Sequence, residues 1–411
     1  MFLLYSLLYA MAVVILFVPE YLKRPKELRR RWLREKFGYL PRTKSSIWIH
    51  AVSVGEVSAS VPLLNKLRAE YPQFNLILST ITDTGQKVAL AKAPEGTTVV
   101  YLPFDLKNIL DRAIRRAKPK AFLVMETELW PNIFRTFSLR RVPVLVVNGR
   151  ISEKSVSGYR KISFFMKKVF SYVGAFCMQG QVDADRISSI GAEKNKVSVV
   201  GNFKFDMGVA GEIPVWTGCL GRGPVIVAGS THRGEEELIL AACTENMTFF
   251  PDLKLILAPR HPERFEEVED ILKKSGTSYV RRTRTDISSP QRASVVLLDT
   301  IGELSAVYGA ADIAIMGKSF KDEGGQNPLE PAFWGKPIIC GPHMENFPFI
   351  KDFYREGAAF EVEAAALPKK IKELLVAPEK AKAAGRKARE LYVRNSGAVY
   401  RAMAIIRQLI V

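Results

Sequence analysis

The stretch Met316–Pro337, MGKSFKDEGGQNPLEPAFWGKP, decides the fold. A short apolar run, Asp312 to Met316 (DIAIM), stops at Gly317, and a loop rich in Gly, Lys, Asp and Glu follows. Asn327-Pro328-Leu329-Glu330 then reads as a helix start, with Asn as N-cap, Pro at the first helical position and an acid in the first turn. A strand that ends in a glycine loop and enters a helix N-terminus offers unpaired N–H groups and a favourable dipole to a phosphate. Glu330 is placed to accept hydrogen bonds from sugar hydroxyls. The same pattern also describes an ordinary βα connection, so its meaning depends on the rest of the chain.

The strand–loop–helix unit recurs on both sides. Downstream, Pro337 to Cys340 is a strand ending in Gly341-Pro342-His343. Upstream, Pro224 to Ala228 ends in Gly229-Ser230-Thr231-His232, Leu253 to Ala258 in Pro259-Arg260-His261-Pro262, and Val295 to Leu298 in Asp299-Thr300-Ile301-Gly302-Glu303-Leu304. The first half has the same rhythm. Its strands are Ile47–Val52, Phe74–Ser79, Thr98–Leu102, Ala121–Met125, Val144–Asn148 and Ala175–Met178. Repeated βα units mean an α/β protein with doubly wound, Rossmann-like parallel sheets, whose active groups sit in loops at the carboxyl ends of strands. Phe203 to Arg222, glycine-containing and weakly periodic, is read as the boundary between two domains, 21–205 and 220–411, facing a cleft. Residues 1–20 form a separate anchor, and the last helix has room to pack back on the first domain.

A chain of 411 residues with 47% hydrophobic content has ample material for two cores. Its net charge of +18 implies an acidic partner: nucleic acid, anionic membrane or a phosphorylated substrate. Four scattered cysteines and four scattered histidines show no CxxC or HxxxH spacing, which speaks for reduced thiols and against a histidine-rich metal site.

Phe2 to Val18 carries no charge and spans roughly 25 Å as a helix, slightly less than a ~30 Å hydrocarbon core. Lys23 to Lys36 (KRPKELRRRWLREK) follows, with eight basic and two acidic residues. Positive charge after the apolar run, with no small-residue cleavage site, reads as an uncleaved anchor that keeps the remainder on the cytoplasmic side of a membrane. A spanning helix, an in-plane helix and a buried core helix are all compatible with the length. The basic segment suits an anionic surface or lipid phosphates.

Polar groups converge at strand ends in both halves. Arg260 is a fixed cation whose fork fits phosphate, and His261 can donate to a phosphate or stack near a base. Ile301, Gly302 and Glu303 offer backbone donors and acceptors. In the first half, Glu56 follows Gly55 at a helix start and is either a general base or an acid that complements the dipole. Glu126 ends an apolar strand, a setting that raises a carboxyl pKa. Glu128 is read as a structural ligand of loop amides. Lys204 lies near the boundary and can reach an anion. Asp183-Ala184-Asp185 has a DxD form, read as helix N-capping rather than metal binding.

Taken in order, these motifs resemble one family, the 3-deoxy-D-manno-octulosonic acid (Kdo) transferases of lipopolysaccharide synthesis. The resemblance covers the N-terminal anchor, Val52-Ser53-Val54-Gly55-Glu56, Glu126-Thr127-Glu128-Leu129-Trp130-Pro131-Asn132 and Gly201-Asn202-Phe203-Lys204-Phe205-Asp206. It continues through the loops at Gly229, Pro259 and Asp299 to Gly324-Gly325-Gln326-Asn327-Pro328-Leu329-Glu330. The chain departs from the family's pattern at Ile301 and Gln326, where Met and His are usual. The resemblance implies the two-domain GT-B glycosyltransferase architecture, CMP-Kdo as donor and a phosphorylated lipid A precursor (lipid IVA) as acceptor. It further implies Glu56 as catalytic base and Glu126 and Lys204 as groups that stabilise the transition state. Arg260, His261, Ile301 to Glu303 and Asn327, Pro328, Leu329 and Glu330 become the CMP site. The expected reaction is a single displacement with inversion, with no cofactor and no metal. Competing readings are another GT-B nucleotide-sugar transferase or an epimerase and, from a different class, a membrane-tethered nucleic-acid-binding protein. Against the last, no run of basic residues interleaved with aromatics occurs outside the juxtamembrane segment.

Overall fold

The computed structural model describes residues 1–208, 211–285, 292–321 and 324–410. Val209 and Ala210 of the boundary stretch, and Asp322 and Glu323 of the glycine loop, lie outside them. The chain divides into two compact units: Met1–Met207 with Asn395–Val411, and Gly208–Arg394.

In unit 1 the strands are β1 Ser46–His50, β2 Asn75–Thr80, β3 Thr98–Tyr101, β4 Pro119–Met125, β5 Val144–Gly149, β6 Ala175–Met178 and β7 Val197–Val199. They form a parallel sheet in the order β3-β2-β1-β4-β5-β6-β7. The central runs are apolar almost throughout because both faces are covered. Trp48, Ile77, Phe122, Val124 and Val144 face one core, while Ile47, Ile49, Leu76, Leu123 and Leu145 face the other. That alternation is the period of two expected of a strand.

In unit 2 the strands are β8 Val225–Thr231, β9 Lys254–Pro259, β10 Tyr279–Arg281, β11 Val295–Leu297, β12 Ile313–Met316, β13 Ile338–Cys340 and β14 Ala359–Glu361. Their order is β10-β11-β9-β8-β12-β13-β14, again parallel. β7, β10 and β14 have no counterpart among the apolar runs read from the sequence. Each has three residues and closes an edge of its sheet, where polar or charged side chains such as Ser198 and Arg281 erase the hydrophobic signal.

Two helices open the chain, α1 Phe2–Lys23 and α2 Lys26–Lys36, and α3 Val54–Glu70 follows β1. The apolar segment is thus helical for three residues beyond the expected boundary at 20. The last helix, Ala398–Leu409, lays Ala402, Met403 and Ile406 into the unit 1 core. Asp206 fixes its start, with Oδ1 accepting from Gly397 N–H at 2.5 Å and Oδ2 from Val399 N–H at 2.6 Å. Gly397 sits at φ +84°, a left-handed cap that favours glycine. Replacing Asp206 by Ala orphans two helix-terminal donors and is expected to lower the unfolding free energy by about 1–3 kcal/mol, read by urea denaturation.

Candidate active site

Both sheets have a switch point where the chain leaves a central strand in one direction and a later strand fills the other side. In unit 1 it lies between β1 and β4, in unit 2 between β8 and β12. Crevices at such points, outside the carboxyl ends of the strands, are where open α/β sheets bind ligands.

The unit 1 switch point carries the acids. Ser53 caps α3, its Oγ accepting from Glu56 N–H at 3.3 Å and donating to Glu56 Oε1 at 2.9 Å. Val52 N–H donates to Glu56 Oε2 at 2.9 Å. The pair resembles a capping box, with the carboxylate accepting from the residue before the N-cap rather than from the N-cap itself, so the Ser53-Val54-Gly55-Glu56 pattern both starts the helix and pins the carboxylate at the end of β1. Glu126 continues β4 by one residue with its backbone at φ +55°, a region that strains a non-glycine residue and is concentrated at functional sites. Its N–H donates to Val147 O at 2.9 Å. Burial pushes the Glu126 carboxyl up, the Glu56 charge adds to this, and the Lys204 ammonium opposes it. Burial in turn lowers Lys204, with Glu126 opposing.

Lys204 is held by its neighbours. Buried Phe203 and Phe205 anchor the 3₁₀ turn Phe203–Asp206, Asn148 Oδ1 accepts from Phe203 N–H at 2.9 Å, and Asn202 Oδ1 accepts from Lys204 N–H at 2.9 Å. The fold therefore brings Glu56, Glu126 and Lys204, 148 residues apart at the extremes, into one electrostatic neighbourhood.

Glu128 belongs to the same neighbourhood. What sets its state is burial, then the Glu56 charge, the Trp130 indole and Glu126, rather than the loop amides expected from the sequence. Its carboxyl is pushed up to about 7. Between the unfolded carboxyl value and about 7, the folded state then holds a proton that the unfolded state has released. Stability from this group is full below the ordinary Glu pKa and is lost as pH rises through about 7. Glu128→Gln is expected to flatten the fall of Tm between about pH 5 and pH 8 in thermal unfolding, whereas an unchanged slope would rule out titration of Glu128 in this range.

Asp183 is not the N-cap expected. Gly180 caps the Gln181–Ser189 helix, and Asp183 Oδ1 accepts instead from Ile151 N–H at 2.9 Å, tying the loop after β5 to that helix. Asp185 accepts from Gln181 Nε2 at 2.8 Å.

The unit 2 switch point is organised by a residue that the motifs did not single out. Glu235, fully buried, accepts from His232 N–H at 2.9 Å, Lys318 N–H at 2.6 Å, Ser319 N–H at 2.9 Å and Phe320 N–H at 3.0 Å. The first amides of the loop after β12 are thus filled by the chain's own carboxylate. Gly317 is required beside them, because a Cβ there would lie 2.2 Å from Ser230 O. Gln326 Nε2 lies 3.2 Å from His232 Nε2, and the His232 and His261 rings meet edge to face at 5.3 Å. Arg260 N–H donates to Thr231 O at 3.0 Å, which sets Arg260 and His261 beside the β8 loop.

The helix after the glycine loop starts one residue later than expected: Leu329–Phe333, capped at Pro328, with Asn327 Oδ1 accepting from Leu329 N–H at 3.2 Å. Pro328 has no N–H to bond, so the Asn327 side chain serves the next residue. Glu330 lies in its first turn, and its charge adds to the burial that raises the Tyr308 phenol. Glu303 is tied down, accepting from Trp216 Nε1 at 3.2 Å and Arg282 Nε at 3.0 Å. Ile301 and Gly302 beside it are exposed, and Trp334 Nε1 donates to Ser305 O at 2.8 Å. That bond joins the end of the Leu329–Phe333 helix to the segment after Glu303.

Residues 31–207 match the family model described as 3-deoxy-D-manno-octulosonic-acid transferase (kdotransferase). Over 92% of its length the chain is 34% identical to a 3-deoxy-D-manno-octulosonic acid transferase of Haemophilus influenzae, of which it covers 91%. The chain belongs to the Kdo transferase family. It is accordingly a glycosyltransferase. A second Kdo transferase, from Aquifex aeolicus, is 32% identical over 82% of this chain and 88% of its own. Among solved structures, the S. aureus MnaA–UDP co-structure superposes with a TM-score of 0.57 at 14% identity, covering 89% of this chain and 96% of that one. UDP-GlcNAc 2-epimerase from Neisseria meningitidis gives 0.57 at 12% identity, covering 89% and 100%. At such identities these two show the fold alone, the GT-B pairing of Rossmann-like units. In this Kdo transferase, Gln326 is the residue whose amide reaches His232.

Proposed function

We propose that the enzyme transfers Kdo from CMP-Kdo to a phosphorylated lipid A precursor, lipid IVA, on the cytoplasmic face of the inner membrane. Family membership carries the transferase reading, and the observation that supports its chemistry is the cluster of Glu56, Glu126 and Lys204 at the β1–β4 switch point. The acceptor hydroxyl oxygen attacks the anomeric carbon of Kdo, and its proton passes to Glu56. The bond from that carbon to the CMP phosphate oxygen breaks, and CMP leaves with the electron pair. A nucleotide phosphate is already a good leaving group, so base assistance to the nucleophile matters most. The anomeric centre becomes oxocarbenium-like, where Glu126 supplies compensating charge, and one displacement inverts its configuration.

Arg260 and His261 hold the phosphate, and Lys204 is a group that stabilises the charge of the transition state. The Ile301–Glu303 segment and Asn327–Glu330 hold the cytidine and ribose, with Glu330 on the ribose hydroxyls. These roles need no metal and no cofactor, so turnover is expected to survive EDTA. No nucleic acid is involved; the basic excess serves the membrane and the acceptor phosphates.

The test is incubation of the full-length protein with CMP-Kdo and a tetraacylated lipid A precursor, followed by mass spectrometry of the lipid. A mass increase of one or more Kdo units is expected. An unchanged lipid from folded protein would sink the assignment. Glu330→Ala is expected to weaken CMP binding in calorimetry while the protein melts as before.

A further inference from the structure

The apolar α1 helix is bound along its whole length to unit 1. Phe2 meets Phe165 at 5.2 Å and Tyr172 at 5.9 Å, and Tyr9 meets Trp130 at 6.3 Å. Within two turns of the other end, Phe17 and Tyr21 pack against Trp32 at 5.9 and 6.3 Å. The polar groups on this face are satisfied by protein. Tyr5 Oη donates to Asp105 Oδ2 at 2.7 Å, and Asn132 Nδ2 donates to Ser6 Oγ at 2.9 Å. Asp105 is itself buried, accepting also from Asn132 N–H at 3.1 Å and Ile133 N–H at 2.6 Å. At the far end Arg24 clamps the turn through Glu20 at 2.8 Å and Asp83 at 3.0 Å.

The partly covered positions are 2, 5, 6, 9, 10, 13, 17, 20 and 21, one stripe of helical period. The rest of the helix surface is apolar and uncovered: Leu4, Leu7, Met11, Val14, Ile15 and Leu22 are each more than half exposed. Such a stripe is too long and continuous to sit in water. α2 follows directly, with Lys26, Arg30 and Arg34 exposed, and Arg29 Nη2 donates to Leu22 O at 2.6 Å, binding the basic segment to the end of α1.

A 22-residue helix is about 33 Å long, and both of its ends are fastened to the same unit. To cross a bilayer it would have to leave that surface, uncovering its aromatic contacts and withdrawing Tyr5 from the buried Asp105. We propose that α1 lies in the plane of an anionic bilayer surface, one face docked on unit 1 and the opposite face sunk in the acyl boundary, with the α2 cations on the headgroups. The proposal rests on the membrane location proposed above.

The test uses the full-length protein, Cys219→Ser, with single substitutions Leu4→Cys, Met11→Cys, Ile15→Cys and Leu22→Cys. The three other cysteines are buried. Each variant carries an environment-sensitive fluorophore and is bound to vesicles of phosphatidylethanolamine and phosphatidylglycerol containing lipids with quenchers at graded acyl depths. All four labels are expected at one shallow depth, about 5–10 Å below the headgroups. Depth that is greatest at Met11, with Leu4 and Leu22 near opposite surfaces, would overturn the in-plane geometry and leave the membrane location standing. Failure of the folded protein to bind these vesicles at all would overturn the membrane location and this proposal with it.

Discussion

Glu56→Gln is expected to abolish Kdo transfer, by about 10²–10⁴-fold in kcat, while CMP still binds. The glutamine variant is more telling than alanine because of what the carboxylate does in the fold. Glu56 ties down the start of α3 through Ser53 Oγ and Val52 N–H, and alanine would lose those bonds together with the proposed base. That loss destabilises α3 by about 0.5–2 kcal/mol, enough to blur a kinetic result. A glutamine oxygen can still accept from Val52 N–H or Ser53 Oγ, yet an amide takes no proton from a hydroxyl. The expected pattern is therefore near-native melting, near-native CMP affinity by calorimetry and lost turnover. Wild-type turnover in Glu56→Gln would leave Glu56 as a helix cap and move the base elsewhere, with Glu128 beside it as the next group to test.

The sheets were legible in the sequence because buried parallel strands are continuous apolar runs, as in Ala121–Met125 and Ile313–Met316. The edge strands β7, β10 and β14 were not, since an edge needs only a few backbone bonds and tolerates Ser198, Arg281 and Glu361. The position of Glu56 could be read from a local signal, Ser followed three residues later by Glu. The company it keeps could not: Asn148 holding the Lys204 turn is a contact between residues 55 apart. Nor could backbone strain be read. Glu126, Asn148, Ser230 and Lys318 all adopt φ of +54° to +56° at or just beyond the carboxyl ends of their strands, and of these residue types only Asn favours it. Glu235 was hidden for a different reason. In Glu235-Glu236-Glu237 it looks like one of three acids complementing a helix N-terminus, and only the fold shows that it is fully buried and bonded to a loop more than eighty residues away.

Glu235→Ala is expected to be the most damaging single change in unit 2. Four backbone N–H groups, from His232, Lys318, Ser319 and Phe320, lose their shared acceptor. Bonds to a charged group contribute more than neutral ones, and an orphaned buried donor keeps its full desolvation cost. Because the four bonds are not additive, a loss on the order of 3–5 kcal/mol of unfolding free energy is the reasonable expectation, with a matching fall in Tm. Binding should suffer too. The carboxylate ties the end of β8 to the loop after β12, so its removal frees the backbone that positions His232 and leads toward Asn327 and Glu330. Lys318, held at φ +56°, has little reason to keep that conformation once its N–H is unpaired. Glu235→Gln separates the charge from the shape. It fills the same volume but turns an N–H₂ toward amides that can only donate, so it should also lose CMP affinity while remaining more stable than the alanine variant. Unfolding curves and CMP titrations that superimpose on wild type for both variants would show that the loop is held by its packing, not by this carboxylate.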